Sequence, residues 1–107
     1  MKVSERSSVF YQFEIKVGGE LVAWGFLFII TNRQHKKSYG LMEDVFVTED
    51  FREIGYGSEI VSAIIKKARE LGCYKLIATS RNERPEVNEW YENIGFKEYG
   101  LEFRMEL

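Results

Sequence analysis

The stretch Glu43-Asp44-Val45-Phe46-Val47-Thr48-Glu49-Asp50-Phe51-Arg52-Glu53-Ile54-Gly55-Tyr56-Gly57-Ser58 decides how the rest of the chain is read. Val45, Phe46 and Val47 are strand formers. Arg52 to Gly57 then breaks the strand pattern. From Ser58 the apolar period becomes helical, with Ile60, Val61, Ile64, Ile65, Ala68 and Leu71 on one face at steps of three and four. A helix that starts behind glycines leaves several backbone N–H groups unpaired, and these donors with the positive end of the helix dipole form an anion site. Glycine suits such a turn because a side chain would hold a phosphate off the backbone. The stretch therefore reads as a strand, a diphosphate-binding turn and a helix.

Two common phosphate motifs fail here. A dinucleotide fingerprint places its third glycine where this chain has Ile60, and no G-K-[ST] run exists for a Walker loop. The run that is present is R-x-x-G-x-G, as Arg52, Gly55 and Gly57. Further along come Asn82, at the end of an expected strand, and the run Trp90-Tyr91-Glu92-Asn93-Ile94-Gly95-Phe96.

Composition bounds the reading. One domain is expected over residues 1–107, with 45% hydrophobic and 30% charged residues, values ordinary for a globular domain. A net charge of −2 gives no reason to expect nucleic acid or a membrane surface as partner. No apolar run approaches the roughly 18 residues of a membrane span, and the first residues lack the apolar core of a signal peptide. The single cysteine, Cys73, excludes an internal disulfide and argues against a thiolate metal cluster, so no metal is expected and a cytoplasmic location is the default.

In chain order, Val9–Val17 alternates as a strand, Gly18-Gly19 marks a hairpin, and Leu21–Ile30 is a long apolar strand with Gly25 as a candidate bulge. A polar loop, Thr31–Ser38, carries Arg33, His35, Lys36 and Lys37 and reads as a solvated turn. Tyr39–Val47 is the third strand. The helix from Ser58 ends at Leu71, with Gly72 beyond it. Tyr74–Thr79 is a short strand, a helix opens at Pro85 and closes at Gly95, and Phe96–Tyr99 and Leu101–Leu107 read as two last strands around Gly100. The expected class is α/β with a mixed sheet, in the order β-β-β-α-β-α-β-β, with one strong parallel crossover.

Over residues 9–107 these motifs resemble the GNAT superfamily of acyl-CoA-dependent N-acyltransferases. The resemblance implies transfer of an acetyl group from acetyl-CoA to a primary amine by direct attack in a ternary complex. It implies that the parallel strands splay near Phe46, so that Val45, Phe46 and Val47 act through their backbone on the pantetheine arm. It also implies that Arg52, Glu53, Ile54, Gly55, Tyr56, Gly57 and Ser58 hold the pyrophosphate, and that Asn82 meets the arm from its strand end. Tyr91 matches the family's general acid to the departing thiolate. Glu43 or Asp44, on opposite faces of the strand by alternation, faces the amine as base or binding group. Cys73 has no histidine beside it in sequence and reads as a core filler.

Two departures from the family pattern stand out. Glu53 occupies a place where the family often has glycine, and its charge is unfavourable beside a diphosphate unless it points to solvent. The family fold usually begins with a further strand and one or two helices that wall the acceptor site, and these have no counterpart here. The acceptor site is then open, or completed by a second chain, or without catalytic use. The alternative function is accordingly a non-catalytic acyl-CoA-binding or interaction domain. The apolar surface expected of such a trimmed fold makes a homodimer a candidate assembly.

Overall fold

The computed structural model describes residues 1–80 and 85–107. The chain runs β1 (Phe10–Val17), β2 (Glu20–Ile30), β3 (Tyr39–Val47), a single 3-10 turn (Glu49–Phe51), α1 (Tyr56–Glu70), β4 (Leu76–Ala78) and α2 (Pro85–Ile94). One sheet carries the strands in the order β1-β2-β3-β4. β1, β2 and β3 pair antiparallel and β4 joins β3 in parallel, with α1 as the crossover between them. This is the mixed sheet the periodicity predicts. Gly18 and Gly19 both take left-handed φ, 57° and 82°, the turn whose twist matches a two-residue hairpin.

α1 lies on the sheet and supplies half of the core. Ile60, Val61, Ile64 and Ala68 recur at helical spacing and are buried against Ala23, Leu27 and Met42 of the strands. Alternation along β2 points Ala23, Gly25 and Leu27 at the helix and sends Trp24, Phe26 and Phe28 to the other face. That second face carries an aromatic ladder. The rings of Phe10 and Phe28 lie 5.0 Å apart, and those of Trp24 and Phe46 also 5.0 Å.

The register contains one irregularity that matters for the site. Trp24 faces Phe46 and Phe26 faces Glu43, so Gly25 alone opposes both Asp44 and Val45. Two residues against one is a β-bulge. The sequence singles out Gly25, but the extra residue belongs to β3. Gly25 is needed for a different reason, because a Cβ there would stand 2.8 Å from Ile60 Cγ2, 3.1 Å from Ile64 Cδ1 and 3.2 Å from Val45 Cγ2. The helix sits directly on the strand at that point.

Three expectations are corrected. α1 begins at Tyr56 rather than Ser58, because Gly55 takes the N-cap with φ 102° and the 3-10 turn has already reversed the chain. β4 is three residues long, since its pairing with β3 stops at Met42 against Ala78. The two final strands do not form. A strand persists only where its backbone finds a ladder partner, and no described backbone hydrogen bond ties residues 97–107 to the sheet. Gly72 follows α1 with φ 75°, as the C′ position requires. Cys73 packs half-buried against the core at the handover to β4, and burial pushes its thiol above the ordinary value. Among the described residues no helix is long and apolar enough to cross a membrane.

Gly25→Ala tests the close seat of α1. Ile60 Cγ2 is attached at a branched carbon beside the backbone and yields little, so the overpacking is expected to cost about 1–3 kcal/mol. Urea denaturation measures it; an unchanged midpoint would mean that the helix is not held against β2.

Candidate active site

The bulge shapes one end of the sheet. β4 pairs only with Gly40, Leu41 and Met42, whereas β3 continues to Val47. From Glu43 to Val47, β3 therefore has no strand beside it on the β4 side among the described residues. The resemblance implies a splay near Phe46; what the structure shows is that the β3–β4 pairing ends at Met42 against Ala78, which leaves main-chain donors and acceptors of Glu43–Val47 without a strand partner on that side among the described residues. A ligand carrying amides in an extended arm can pair there as a strand would.

The unpaired edge leads to the start of α1. Thr48 N–H donates to Val22 O at 2.9 Å, which holds the strand end down before the 3-10 turn. Glu59 N–H closes the first helical bond on Gly55 O at 3.0 Å. The N–H groups of Tyr56, Gly57 and Ser58 precede it and have no partner within the helix. They line a concavity of about 210 Å³ together with Val47, Arg52 and Trp90. A Cβ on Gly57 would reach into this space, 3.6 Å from Val47 Cγ2 and 3.7 Å from Trp90 Cζ2. The helix dipole adds positive potential where those donors point. The chemistry of this cradle is that of an anion site with a bare backbone floor.

Arg52 is tied to the strand. Its Nε donates to Val47 O at 2.9 Å, and its guanidinium carbon lies 5.2 Å from the centre of the Phe46 ring. The cation is thereby set at the rim of the cradle. Glu53 is exposed and takes a left-handed φ of 64°. That backbone conformation is the physical reason a glycine suits this position, and a non-glycine residue held there costs on the order of 1 kcal/mol. Ile54 is exposed, and the Tyr56 ring leans on Phe51 at 6.3 Å.

The two acidic residues of β3 are separated by the bulge, not by plain alternation. Asp44 sits at φ 53°, a conformation Asp tolerates better than most residues, and its Oδ2 accepts a hydrogen bond from Trp24 Nε1 at 3.1 Å. Both Glu43 and Asp44 are exposed. Glu43 is the carboxylate whose charge reaches Tyr91. The Tyr91 phenol is raised above its ordinary value near 10, first by burial and then by the Glu43 carboxylate. Tyr91 is held in α2 between the rings of Trp90, at 5.3 Å, and Phe96, at 5.5 Å.

The structure brings Val47, Arg52, Glu53, Gly55, Tyr56, Gly57 and Ser58 together around one concavity, with Phe46 against the Arg52 guanidinium; Val45 and Ile54 do not line it, and Glu43 is linked to Tyr91 through its charge. The structure directs Asp44 into a bond with Trp24. Asn82 lies outside the described residues. Two participants escape the sequence reading. Trp90 walls the cradle, and Trp24 clamps the bulge. Trp90 stands next to Tyr91 in the quoted run, so two adjacent aromatics on a short amphipathic helix were the available signal. Trp24 carries no comparable local signal, since its partner is twenty residues away.

The site region thus comprises a β3 edge with no strand partner among the described residues, a glycine-capped helix start with a bare cradle, and the half-buried Tyr91 of α2. Comparison with known proteins agrees. Residues 2–96 match the model of the Acetyltransferase (GNAT) family, and the chain belongs to that family. It is 32% identical over 103 residues to a glucosamine 6-phosphate N-acetyltransferase from Candida albicans, covering 92% of this chain and 66% of the relative. It is 36% identical over 63 residues to a probable glucosamine 6-phosphate N-acetyltransferase from Oryza sativa subsp. japonica, covering 59% of this chain and 36% of the relative. Among solved structures, a putative acetyltransferase from Agrobacterium tumefaciens superposes with a TM-score of 0.85 at 28% identity, covering 92% of this chain and 69% of that one. The chain spans between about a third and two thirds of the length of these curated relatives.

Replacing Asp44 separates backbone from carboxylate. Asp44→Gly keeps the left-handed conformation and is expected to fold and bind ligand nearly as the parent does. Asp44→Val places a β-branched residue at positive φ and is expected to lose about 1–3 kcal/mol of stability. Thermal denaturation of both variants checks this, and a glycine variant as damaged as the valine one would show that the carboxylate, not the bulge, is what matters.

Proposed function

We propose that this chain is an N-acetyltransferase that moves an acetyl group from acetyl-CoA to a primary amine by direct attack. The observation that carries the reading is the continuity of the site: an unpaired strand edge at Glu43–Val47 leads to the bare helix start at Tyr56–Ser58, and the charge of Glu43 on that edge reaches the Tyr91 phenol. The β3 edge, through the backbone of Val45, Phe46 and Val47, suits the amides of the pantetheine arm. The N–H groups of Tyr56, Gly57 and Ser58 suit the pyrophosphate, with Arg52 supplying charge at the rim.

In this reading the neutral amine nitrogen bonds to the thioester carbonyl carbon, and the carbon–sulfur bond breaks. Backbone N–H groups at the bulge stabilise the charge on the carbonyl oxygen. Tyr91 gives its proton to sulfur as negative charge develops there, and the nitrogen loses one to solvent or to Glu43. The phenol is protonated at neutral pH as any tyrosine is, and burial makes it a weaker acid. It therefore acts as the bond breaks and not before. Glu43 is assigned to the amine, as base through water or as its binding group. Asp44 is assigned to holding the bulge through Trp24.

The acceptor to test first is an amino sugar phosphate, because the curated relatives carry that activity in their names. The single, unpaired Cys73 fits a reducing compartment, and we place the protein in the cytoplasm.

Steady-state kinetics with acetyl-CoA and a panel of amines, glucosamine 6-phosphate among them, tests the reading. Tyr91→Phe is expected to lower kcat by about 10²-fold or more, the range for loss of a general acid, with little change in KM for acetyl-CoA. Burial is the larger cause of the raised phenol and Glu43 the smaller, so Glu43→Gln is expected to shift the Tyr91 ionisation downward in part in an ultraviolet titration. Since the phenol is the proton donor, the alkaline limb of kcat should move down with it. Tight acetyl-CoA binding with no turnover of any amine would instead support the non-catalytic binding domain.

A further inference from the structure

The loop between β2 and β3 carries Arg33, His35, Lys36 and Lys37, and its sequence reads as a solvated turn. The structure shows it tied down. Asn32 Oδ1 accepts from the N–H groups of Gln34 at 3.1 Å and His35 at 3.2 Å, which turns the chain. The Thr31 and Ser38 hydroxyls close its base at 2.9 Å. Tyr74 N–H donates to Ser38 O at 3.1 Å and Gly40 N–H to Lys75 O at 3.0 Å, so the segment leading into β4 lies against the foot of the loop. There the His35 ring sits 4.7 Å from that of Tyr74. Lys75 Nζ stands 4.8 Å from the centre of the Tyr39 ring and 5.2 Å from that of Tyr74. Residues 31–37, Tyr74 and Lys75 are all exposed.

The charge of this surface is unbalanced. No Asp or Glu occurs between Glu20 and Glu43, or between Glu70 and Glu83. Among the described residues the ion pairs are those of Arg104 alone, so Arg33, Lys36, Lys37 and Lys75 have no carboxylate within reach. They hold +4 in a chain whose total is −2, which leaves −6 on the rest. Like charges gathered on a fixed loop repel one another. A tyrosine ring beneath a lysine holds the cation in place without neutralising it. An anionic partner relieves that repulsion. The loop precedes β3 and the cradle at Tyr56–Ser58 lies beyond its other end, about 25 Å away at roughly 3.3 Å per residue.

We propose that the loop Thr31–Ser38, with Tyr39, Tyr74 and Lys75, is a docking surface for an acidic segment of a partner protein. The chemistry selects among anions. A nucleic acid carries a charge at every nucleotide and runs on past the loop, onto a body that holds −6. Its bases stack on open rings, whereas the rings here are engaged by His35 and Lys75. The polybasic clusters that hold membranes carry roughly 4–8 Lys or Arg. This loop has Arg33, Lys36 and Lys37, and no apolar side chain to insert. An acidic protein segment confines its carboxylates to a few residues and can end where the patch ends. Exposed Lys and Arg then act mainly on the rate of encounter and the choice of partner. This surface does not depend on the acetyltransferase reading.

Fluorescence anisotropy of a dye-labelled oligoglutamate peptide tests the proposal, at about 0.15 M salt, where exposed charges more than about 8 Å apart are screened from one another. Saturable binding is expected. The double variant Lys36→Glu, Lys37→Glu should weaken it by about tenfold or more, with an unchanged circular dichroism spectrum. Asn32→Ala keeps every charge and removes the acceptor that fixes the turn, so it should weaken binding by about threefold. No saturable binding by the parent chain overturns the proposal, as does binding indifferent to the double variant. Binding indifferent to Asn32→Ala would mean diffuse charge without a built surface, and overturns it too. Tighter binding of oligothymidylate, or of phosphatidylserine vesicles, than of the peptide at the same salt would assign the surface to nucleic acid or to a membrane, and either result overturns the acidic protein segment.

Discussion

In β3, Asp44 and Val45 together face Gly25, and the site depends on that one extra residue. A regular antiparallel pair would carry β3 straight on beside β4. The bulge instead adds twist and turns the strand end away. It survives because both sides of it are held. On the outer face, Trp24 donates to the Asp44 carboxylate and stacks on Phe46. On the inner face, Ile60 and Ile64 of α1 press on Gly25 and Val45, with no room for even a methyl group. The left-handed backbone of Asp44 costs on the order of 1 kcal/mol. A solvent-exposed hydrogen bond to a charged group returns a similar amount, so the packing of α1 decides the balance.

From this constraint the functional geometry follows in sequence. α1 is seated on β2 by Gly25, so its first turn is carried to the open end of the sheet. Gly55 lets the chain enter the helix, and Gly57 keeps the floor of the cradle bare. The β3 edge left without a strand partner leads to the same place. Tyr91 of α2 is half-buried, and its phenol is raised first by that burial and then by the Glu43 carboxylate. In the proposed site, backbone groups rather than side chains supply most of the surface offered to a ligand, so few residues in this stretch need be polar.

Much of this was legible from sequence, and the failures are instructive. β3 was expected at Tyr39–Val47 and lies there, because a dense run of β-formers between polar loops leaves little freedom. α2 was expected from Pro85 to Ile94 and has those bounds, since proline opens it and Gly95 closes it. The glycine turn ahead of α1 was legible because Gly55 and Gly57 stand at set spacing before a helical period. The bulge was read onto Gly25, the visible anomaly. The extra residue was in fact in the partner strand, and pairing between strands is a non-local property that one strand's pattern does not carry. Alternation therefore put Glu43 and Asp44 on opposite faces of a regular strand, whereas their roles are divided by a left-handed residue. Period alone predicts the last two strands; the period at Leu101–Leu107 is real, but a strand also needs a ladder partner, and residues 97–107 find none among the described residues.

The central claim is that a freed β3 edge and a bare helix start form one continuous binding surface. Backbone amide NMR during titration with coenzyme A tests it most directly. The account predicts that the amides of Val45–Val47 and of Tyr56, Gly57 and Ser58 shift together, on one binding curve, with the Trp90 side-chain N–H following them. Shifts at only one of these two stretches, or at neither, would contradict it.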